Sequence, residues 1–130
     1  MTAVAPAAAT ASSPSGKGKN ASELSLIHIF SKEEPGFISL VTILEIVWVL
    51  RRIFNRSRSE IADHIEKLLV ADTLHVQNEQ EVFSAMIDLR GGVGTFEDAL
   101  IGLLGIWTGC SATLTFDEKA ARRLRGFQLA

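Results

Sequence analysis

The sequence predicts an α/β domain built around a mainly parallel β-sheet. Short apolar segments that favour strands alternate along the chain with longer segments whose apolar residues recur at helical spacing. This alternation is typical of parallel sheets, because two parallel strands need a crossover connection that is usually a helix. The composition agrees, since 47% of the 130 residues are hydrophobic and 22% are charged, which suits a single globular domain.

The first part of the chain differs in composition from the rest. Residues 1 to about 22 are rich in Ala, Ser, Pro and Gly and have little to bury, so we predict that they are disordered. They are followed by LSLIHIF, residues 24–30, which favours a β-strand, and then by the polar SKEEPG. We therefore divide the chain into a low-complexity, disordered or non-native segment at 1–33 and a folded domain at 34–130.

The first half of the domain is predicted to contain two strands with two helices between them. FISL, residues 37–40, reads as a short buried strand, and Thr42 begins a helix that ends near Phe54. SEIADHIEKLLVA, residues 59–71, forms the second helix, because its Ile and Leu residues recur three and four positions apart. The strand LHVQ follows at 74–77.

The second half continues the alternation. Asn78 and Glu81 match a capping box, which predicts a helix from Asn78 to about Leu89. RGGVGT, residues 90–95, is predicted to be a connector, because it lacks the Lys-Ser/Thr ending of a phosphate-binding loop. The remaining predicted elements are a helix at 95–107 that Gly109 ends, a strand at 110–116, a helix at 117–124 and a strand at 126–129.

Three carboxylates occupy comparable places in this pattern. Glu45 and Asp98 each follow a Thr by three positions near the start of a helix, and Asp117 ends a strand. The carboxyl ends of parallel strands and the helix starts that follow share one edge of the sheet, where such folds bind ligands. The alternative is that these residues only cap helices, which stabilises a protein by about 1 kcal/mol per cap.

The surroundings of Glu45 and Asp98 favour a metal site. We expect helices this apolar to be buried nearly all round, and no Lys or Arg lies within one turn of either acid in the sequence. A divalent cation would compensate buried carboxylates, and without suitably spaced His or Cys the oxygen ligands indicate Mg²⁺ or Mn²⁺. Such a cation polarises a phosphoryl oxygen and activates water, which predicts metal-dependent phosphodiester hydrolysis.

Arginine clusters could provide positive charge for a phosphate substrate. The net charge of −2 gives no basic field over the whole protein, so nucleic-acid binding would need local patches. The alternative for each cluster is a solvated helix end. The clusters RRIFNRSR and ARRLR contain Arg51, Arg52, Arg56, Arg58, Arg122, Arg123 and Arg125.

A cytoplasmic location is expected from three observations. The lone Cys110 cannot form an intramolecular disulfide, and we expect it to be a small buried hydrophobe in a reducing compartment. The longest apolar run, residues 37–50, is too short to span a bilayer, and the N-terminal segment lacks the features of a secretory signal. Trp48 and Trp107 lie on apolar helices and are expected in the core.

The segments FISLVTILEIVWVLRR and TFEDALIGLLGIWTGCSATLTFDEKAARRLRGFQL resemble a PIN domain, specifically a VapC-type toxin of a toxin–antitoxin pair, over roughly residues 34–130. The resemblance implies a compact α/β/α sandwich, Mg²⁺- or Mn²⁺-dependent endoribonuclease activity, a homodimer and a cognate antitoxin. The residues that it places in the site are the acids Glu45, Asp98 and Asp117, with Thr115 where a hydroxyl residue often lines the site. From the arginine clusters we add Arg51 and Arg52 as candidate substrate-binding residues.

The chain departs from the family at its beginning. The family starts with a strand ending in Asp-Thr-Asn, whose Asp is a central metal ligand, but this chain has no Asp before Asp63. Only SKEEPG links LSLIHIF to Phe37, whereas a parallel crossover needs a dozen or more residues. The first strand, first helix and first acid are therefore expected to be absent or replaced. The alternative function is a catalytically inactive PIN-like domain that binds a protein such as the antitoxin.

Overall fold

A computed structural model describes residues 30–130, so the predictions for residues 1–29 lie outside the described part of the chain. Within residues 30–130 the helices are α1 (Leu40–Arg52), α2 (Arg58–Val70), α3 (Glu79–Arg90), α4 (Phe96–Trp107) and α5 (Glu118–Arg123). The strands of this described part are β1 (Gly36–Ile38), β2 (Leu74–Val76), β3 (Thr113–Thr115) and β4 (Phe127–Leu129). No helix in this part of the chain is long and apolar enough to cross a membrane.

The strands pair in parallel, as the alternation of elements predicts. β1 pairs with β2, with Phe37 opposite His75, and β3 pairs with β4, with Leu114 opposite Gln128. Within residues 30–130 they form two separate two-stranded sheets rather than one continuous sheet. The prediction of an α/β fold with parallel strands is thus confirmed, and the three-layer sandwich stays a prediction.

One hydrophobic core joins β1, β2 and the four long helices. α3 lies in the middle of the helical part and packs against both α2 and α4. The fully buried side chains include Ile38 of β1, Val47 of α1, Ile65 of α2, Met86 of α3 and Phe96 of α4. Burying a side chain of this size stabilises the fold by about 1.5–3 kcal/mol. This core holds α1 and α4, which carry four of the predicted site residues: Glu45, Arg51, Arg52 and Asp98.

The start of α1 differs from the prediction. The helix begins at Leu40, because the Ser39 hydroxyl accepts a hydrogen bond from the Thr42 amide at 3.2 Å and caps the first turn. Thr42 lies inside the helix, where its buried hydroxyl is 3.1 Å from the Ser39 hydroxyl. The alternative interpretation, in which Thr42 and Glu45 cap this helix, is therefore wrong, since Ser39 is the cap.

The start of α3 is also built differently. Asn78 has a left-handed backbone, with φ of 51°, and its side chain makes no capping hydrogen bond. Its side-chain amide instead donates to the Glu81 carboxylate at 3.3 Å. The predicted capping box is wrong here, although the helix begins within one residue of the expected position.

Three side chains predicted to be buried lie on the surface. Trp48 is 51% exposed and Trp107 is 63% exposed, and Cys110 is exposed as well. The physical reason is that the helices carry apolar residues on more faces than the described core covers. Ile101, also on α4, is likewise 53% exposed. The prediction that the apolar helices are buried nearly all round is therefore wrong for these side chains.

Candidate functional site

Asp98 lies in the first turn of α4, and its carboxylate is available to a ligand. The Thr95 hydroxyl accepts a hydrogen bond from the Asp98 backbone amide at 3.2 Å, which confirms Thr95 as the cap of this helix. Asp98 is half-buried, and within residues 30–130 no salt bridge engages its carboxylate. The cap uses only the backbone amide of Asp98, so its carboxylate takes no part in capping.

Arg51 at the end of α1 forms a forked ion pair with Glu97 at the start of α4. One guanidinium nitrogen donates to Glu97 Oε2 at 3.1 Å, and the second donates to Glu97 Oε1. Burial opposes ionisation of the Glu97 carboxyl, but hydrogen bonds from Arg51 and the backbone outweigh it and lower the pKa of Glu97 below 4.5. The pair therefore ties two helix ends together while both groups are charged.

The same arginine changes the surroundings of Asp98. The hydrogen bond with Glu97 raises the pKa of Arg51, and the negative charge of Asp98 adds a smaller contribution. No Lys or Arg lies within one turn of Asp98 in the sequence, but the fold brings Arg51 close to it from a distant helix. The Arg51 guanidinium donates to Glu97. It is therefore neither a solvated helix end nor a charge that is free to bind a substrate.

Asp117 caps α5, as one of the two sequence interpretations predicted. Its Oδ1 accepts hydrogen bonds from the backbone amides of Lys119 at 2.8 Å and Ala120 at 3.2 Å. The Thr115 hydroxyl accepts a bond from the Asp117 amide at 3.1 Å, which fixes the turn between β3 and α5. Asp117 is exposed. The cap and a ligand role are compatible, because only one carboxylate oxygen is used.

Glu45 is exposed, which corrects the expectation that it is buried. α1 packs against the core through Thr42, Ile43 and Val47. Glu45 stands two positions from both Ile43 and Val47, so it points to the opposite side of the helix. The apolar residues flanking it in the sequence do not enclose it. Its charge is solvated and needs no compensating cation.

The structure does not join the three acids into a metal site. Among residues 30–130, no three His, Cys, Asp or Glu residues are grouped closely enough to hold a metal ion. The carboxylate oxygens of Glu45, Asp98 and Asp117 suit Mg²⁺ or Mn²⁺ chemically, but within residues 30–130 they are not gathered into one group. We therefore assign no catalytic step to a cation, and a shared cation stays a prediction.

The arginine clusters divide into engaged and exposed members. Beyond Arg51, the engaged ones contact Glu60, the Gly94 carbonyl and Glu118. These contacts are Arg56 to Glu60 at 3.6 Å, Arg58 to the Gly94 oxygen at 3.1 Å and Arg122 to Glu118 at 3.4 Å. In the described part of the chain, no ion pair engages Arg52, Arg123 or Arg125, and all three are exposed. An anionic ligand could contact these three arginines without breaking an ion pair in the described part of the chain.

An apolar groove that the sequence did not reveal lies beside the end of α2 and the start of α3. It has a volume of about 500 Å³ and is lined in part by Val70, Phe83 and Trp107. These side chains are 73%, 50% and 63% exposed, respectively. The sequence signal for this groove is Trp107, a large aromatic residue at the last position of α4, although an apolar helix predicts it in the core.

The described surface thus offers two features to a ligand: uncommitted acids beside helix starts and an apolar groove. Comparisons of the chain with protein-family models, with curated proteins and with solved structures found no match.

Proposed function

We propose that this chain is a ribonuclease of the metal-dependent class that the PIN resemblance implies, impaired by loss of the first acid. One observation carries the proposal. Within residues 30–130, Glu45, Asp98 and Asp117 have no salt-bridge partner, whereas the acids next to two of them, Glu97 and Glu118, are paired. The three acids that the resemblance selects are therefore not held in ion pairs in this part of the chain, a property that they share with Asp88.

The exposed arginines support an RNA substrate. Arg123 and Arg125 follow Asp117 on and after α5, and Arg52 ends the helix that carries Glu45. Positive side chains of this kind neutralise phosphates, and the resulting release of counterions makes RNA affinity fall as salt rises. Arg51 contributes less to this proposal than the sequence predicted, because its guanidinium is held by Glu97.

The test compares RNA cleavage and metal binding in Asp98→Asn and in a matched control, Asp88→Asn. Asp88 is a half-buried acid on α3, and no salt bridge within residues 30–130 engages it. Asp98→Asn keeps the helix cap, since the Thr95 hydroxyl bonds to the backbone amide. Each protein is incubated with single-stranded RNA with and without Mn²⁺, and its melting temperature is measured over a metal titration.

We expect slow, metal-dependent cleavage by the wild type and by Asp88→Asn, and none by Asp98→Asn. A metal at 100 times its dissociation constant should stabilise the two active proteins by about 2.7 kcal/mol. Equal metal-induced stabilisation of the Asp98 and Asp88 variants would refute the assignment of Asp98. Absence of both cleavage and metal binding in the wild type would refute the ribonuclease proposal.

The second candidate is a protein-binding module, which the apolar groove favours. An apolar helix of an antitoxin would cover Val70, Phe83 and Trp107, whose exposure is otherwise unfavourable. The test is a titration with an antitoxin peptide in a Trp48→Phe protein, in which Trp107 fluorescence reports the groove. Phe83→Ala should weaken the binding, and Phe116→Ala, at a residue outside the groove lining, should leave it unchanged.

A further inference from the structure

The last three elements, β3, α5 and β4, form a strand–helix–strand unit at residues 113–130, which we call the C-terminal unit. Its two strands pair with each other in a sheet of their own. At the two ends of this pairing, the Thr113 amide donates to the Gly126 carbonyl and the Ala130 amide donates to the Thr115 carbonyl, both at 2.8 Å. The unit is therefore held in shape by hydrogen bonds between its own residues.

Two apolar side chains of the C-terminal unit dock it on the rest of the domain, each over a glycine. Leu124 is 8% exposed and covers Gly94, where an added Cβ atom would lie 3.0 Å from a Leu124 methyl carbon. Phe127 covers Gly102 of α4, where an added Cβ atom would lie 2.7 Å from a ring carbon. Contacts of this kind depend on close approach, because dispersion attraction falls off within a fraction of an ångström. A methyl group at either glycine would therefore push the unit away from the domain.

The junction between α4 and the C-terminal unit is not filled along its whole length. A cavity of about 160 Å³ lies there, lined in part by Ile106 of α4, by Cys110 of the connector at 108–112 and by Arg125 of the unit. Atoms that line a gap have fewer contacts to lose when the unit moves. In the connector, Gly109 has a φ of 90°, a conformation that glycine adopts readily, and such residues serve as hinges.

The docking contacts also join two of the candidate site residues. Asp98 lies in the first turn of α4, four residues after Gly94. Asp117 caps α5 at one end, and Leu124 follows the last residue of the same helix. A short helix is a rigid spacer, which at 1.5 Å per residue holds Asp117 and Leu124 about 10 Å apart. The contact of Leu124 with Gly94 thus sets how α5 lies relative to the start of α4.

We propose that the C-terminal unit moves as one body about the connector, and that its docking sets the position of Asp117 relative to Asp98. Arg123 and Arg125 belong to the same unit, so docking positions their charges as well. The role of these side chains rests on the proposed ribonuclease function, whereas the movement of the unit does not.

The test is the distance between spin labels on α2 and α5, measured by pulsed electron paramagnetic resonance. The labels are attached to His64→Cys and Lys119→Cys, both at exposed positions, in a Cys110→Ser background. Because α2 and α4 share one core, this distance reports how the unit lies relative to the start of α4. The Gly94→Ala/Gly102→Ala variant should broaden the distance distribution roughly twofold or more, since overpacking displaces the docking side chains.

Gly105→Ala is the matched control, because it adds the same methyl group to α4 with the nearest atom 3.6 Å away, and it should leave the distribution unchanged. Hydrogen exchange at the Thr113 amide separates movement from unfolding. This amide should stay protected while the unit moves, since its acceptor, Gly126, belongs to the same unit. An unchanged distribution in the double variant, or a loss of Thr113 protection together with the broadening, would overturn the proposal.

Leu124→Ala makes the same comparison if the double glycine variant does not fold, because it weakens the contact on Gly94 without adding an atom. Leu114→Ala, at a position of the unit that is 69% exposed, is its control. Equal distributions in these two variants would also count against movement of the unit. Neither RNA nor metal enters the measurement, so absence of cleavage by the wild type would refute the ribonuclease proposal and leave the docking proposal standing.

Discussion

Replacing Glu97 by Gln should destabilise the domain, because it leaves the Arg51 guanidinium without its anionic partner. The side chains of Arg51 and Glu97 are 35% and 26% exposed, so the pair is partly screened by solvent. Exposed ion pairs contribute about 0.2–1 kcal/mol, whereas breaking a fully buried pair costs about 3–5 kcal/mol. For this intermediate burial we expect a loss of about 1–2 kcal/mol in the free energy of unfolding at neutral pH.

The effect should depend on pH in one direction. Burial by itself would raise the pKa of the Glu97 carboxyl. The hydrogen bonds from Arg51 and the backbone outweigh burial and lower this pKa below 4.5 in the folded protein. A carboxyl with a lowered pKa stabilises the fold above its unfolded pKa, and this stabilisation is lost as pH falls through the folded pKa. The difference between wild type and Glu97→Gln should therefore be complete at pH 7 and shrink below about pH 4.5.

The assay is urea unfolding at several pH values, with Glu118→Gln as the matched control. Glu118 pairs with Arg122 at 3.4 Å, but these side chains are 69% and 80% exposed, so its replacement should cost less than about 0.5 kcal/mol. The Arg51→Met single mutant and the Arg51→Met/Glu97→Gln double mutant complete the cycle, which isolates the interaction energy of the pair. If Glu97→Gln is as benign as Glu118→Gln at pH 7, the reasoning about the helix-joining pair is refuted.

Two further predictions concern stability. Asp117→Ala removes the acceptor that caps α5 and should cost about 1 kcal/mol, while Asp117→Asn retains the cap; equal urea midpoints for the two would contradict the capping role. Gly102→Ala should cost about 1–3 kcal/mol, because its Cβ would lie 2.7 Å from a ring carbon of Phe127. Gly105→Ala on the same helix is the control, since the nearest atom is 3.6 Å away; thermal unfolding that ranks the two equally would contradict the packing argument.

Much of the fold was predictable because its signals are local. Helical spacing placed α2, and Thr95 placed α4, within one residue of their observed starts, since both signals depend only on neighbouring residues. The caps at Thr95 and Asp117 were predictable for the same reason, as a capping side chain bonds to amides two or three positions away. α1 was misplaced because Ser39, rather than Thr42, supplies its capping oxygen.

The surroundings of the site were decided by tertiary structure. Arg51 and Glu97 are far apart in the sequence, and only the packing of α1 and α4 brings their charges into contact. Glu45 is solvated because the core covers the opposite face of its helix, which the composition of the helix does not specify. Alternation of strands and helices predicted parallel pairing, but not its division into two sheets. The sequence by itself determined which elements form and where most of them begin, because those are local preferences. Tertiary structure decided which faces are covered and which charges meet, because both depend on contacts between distant parts of the chain.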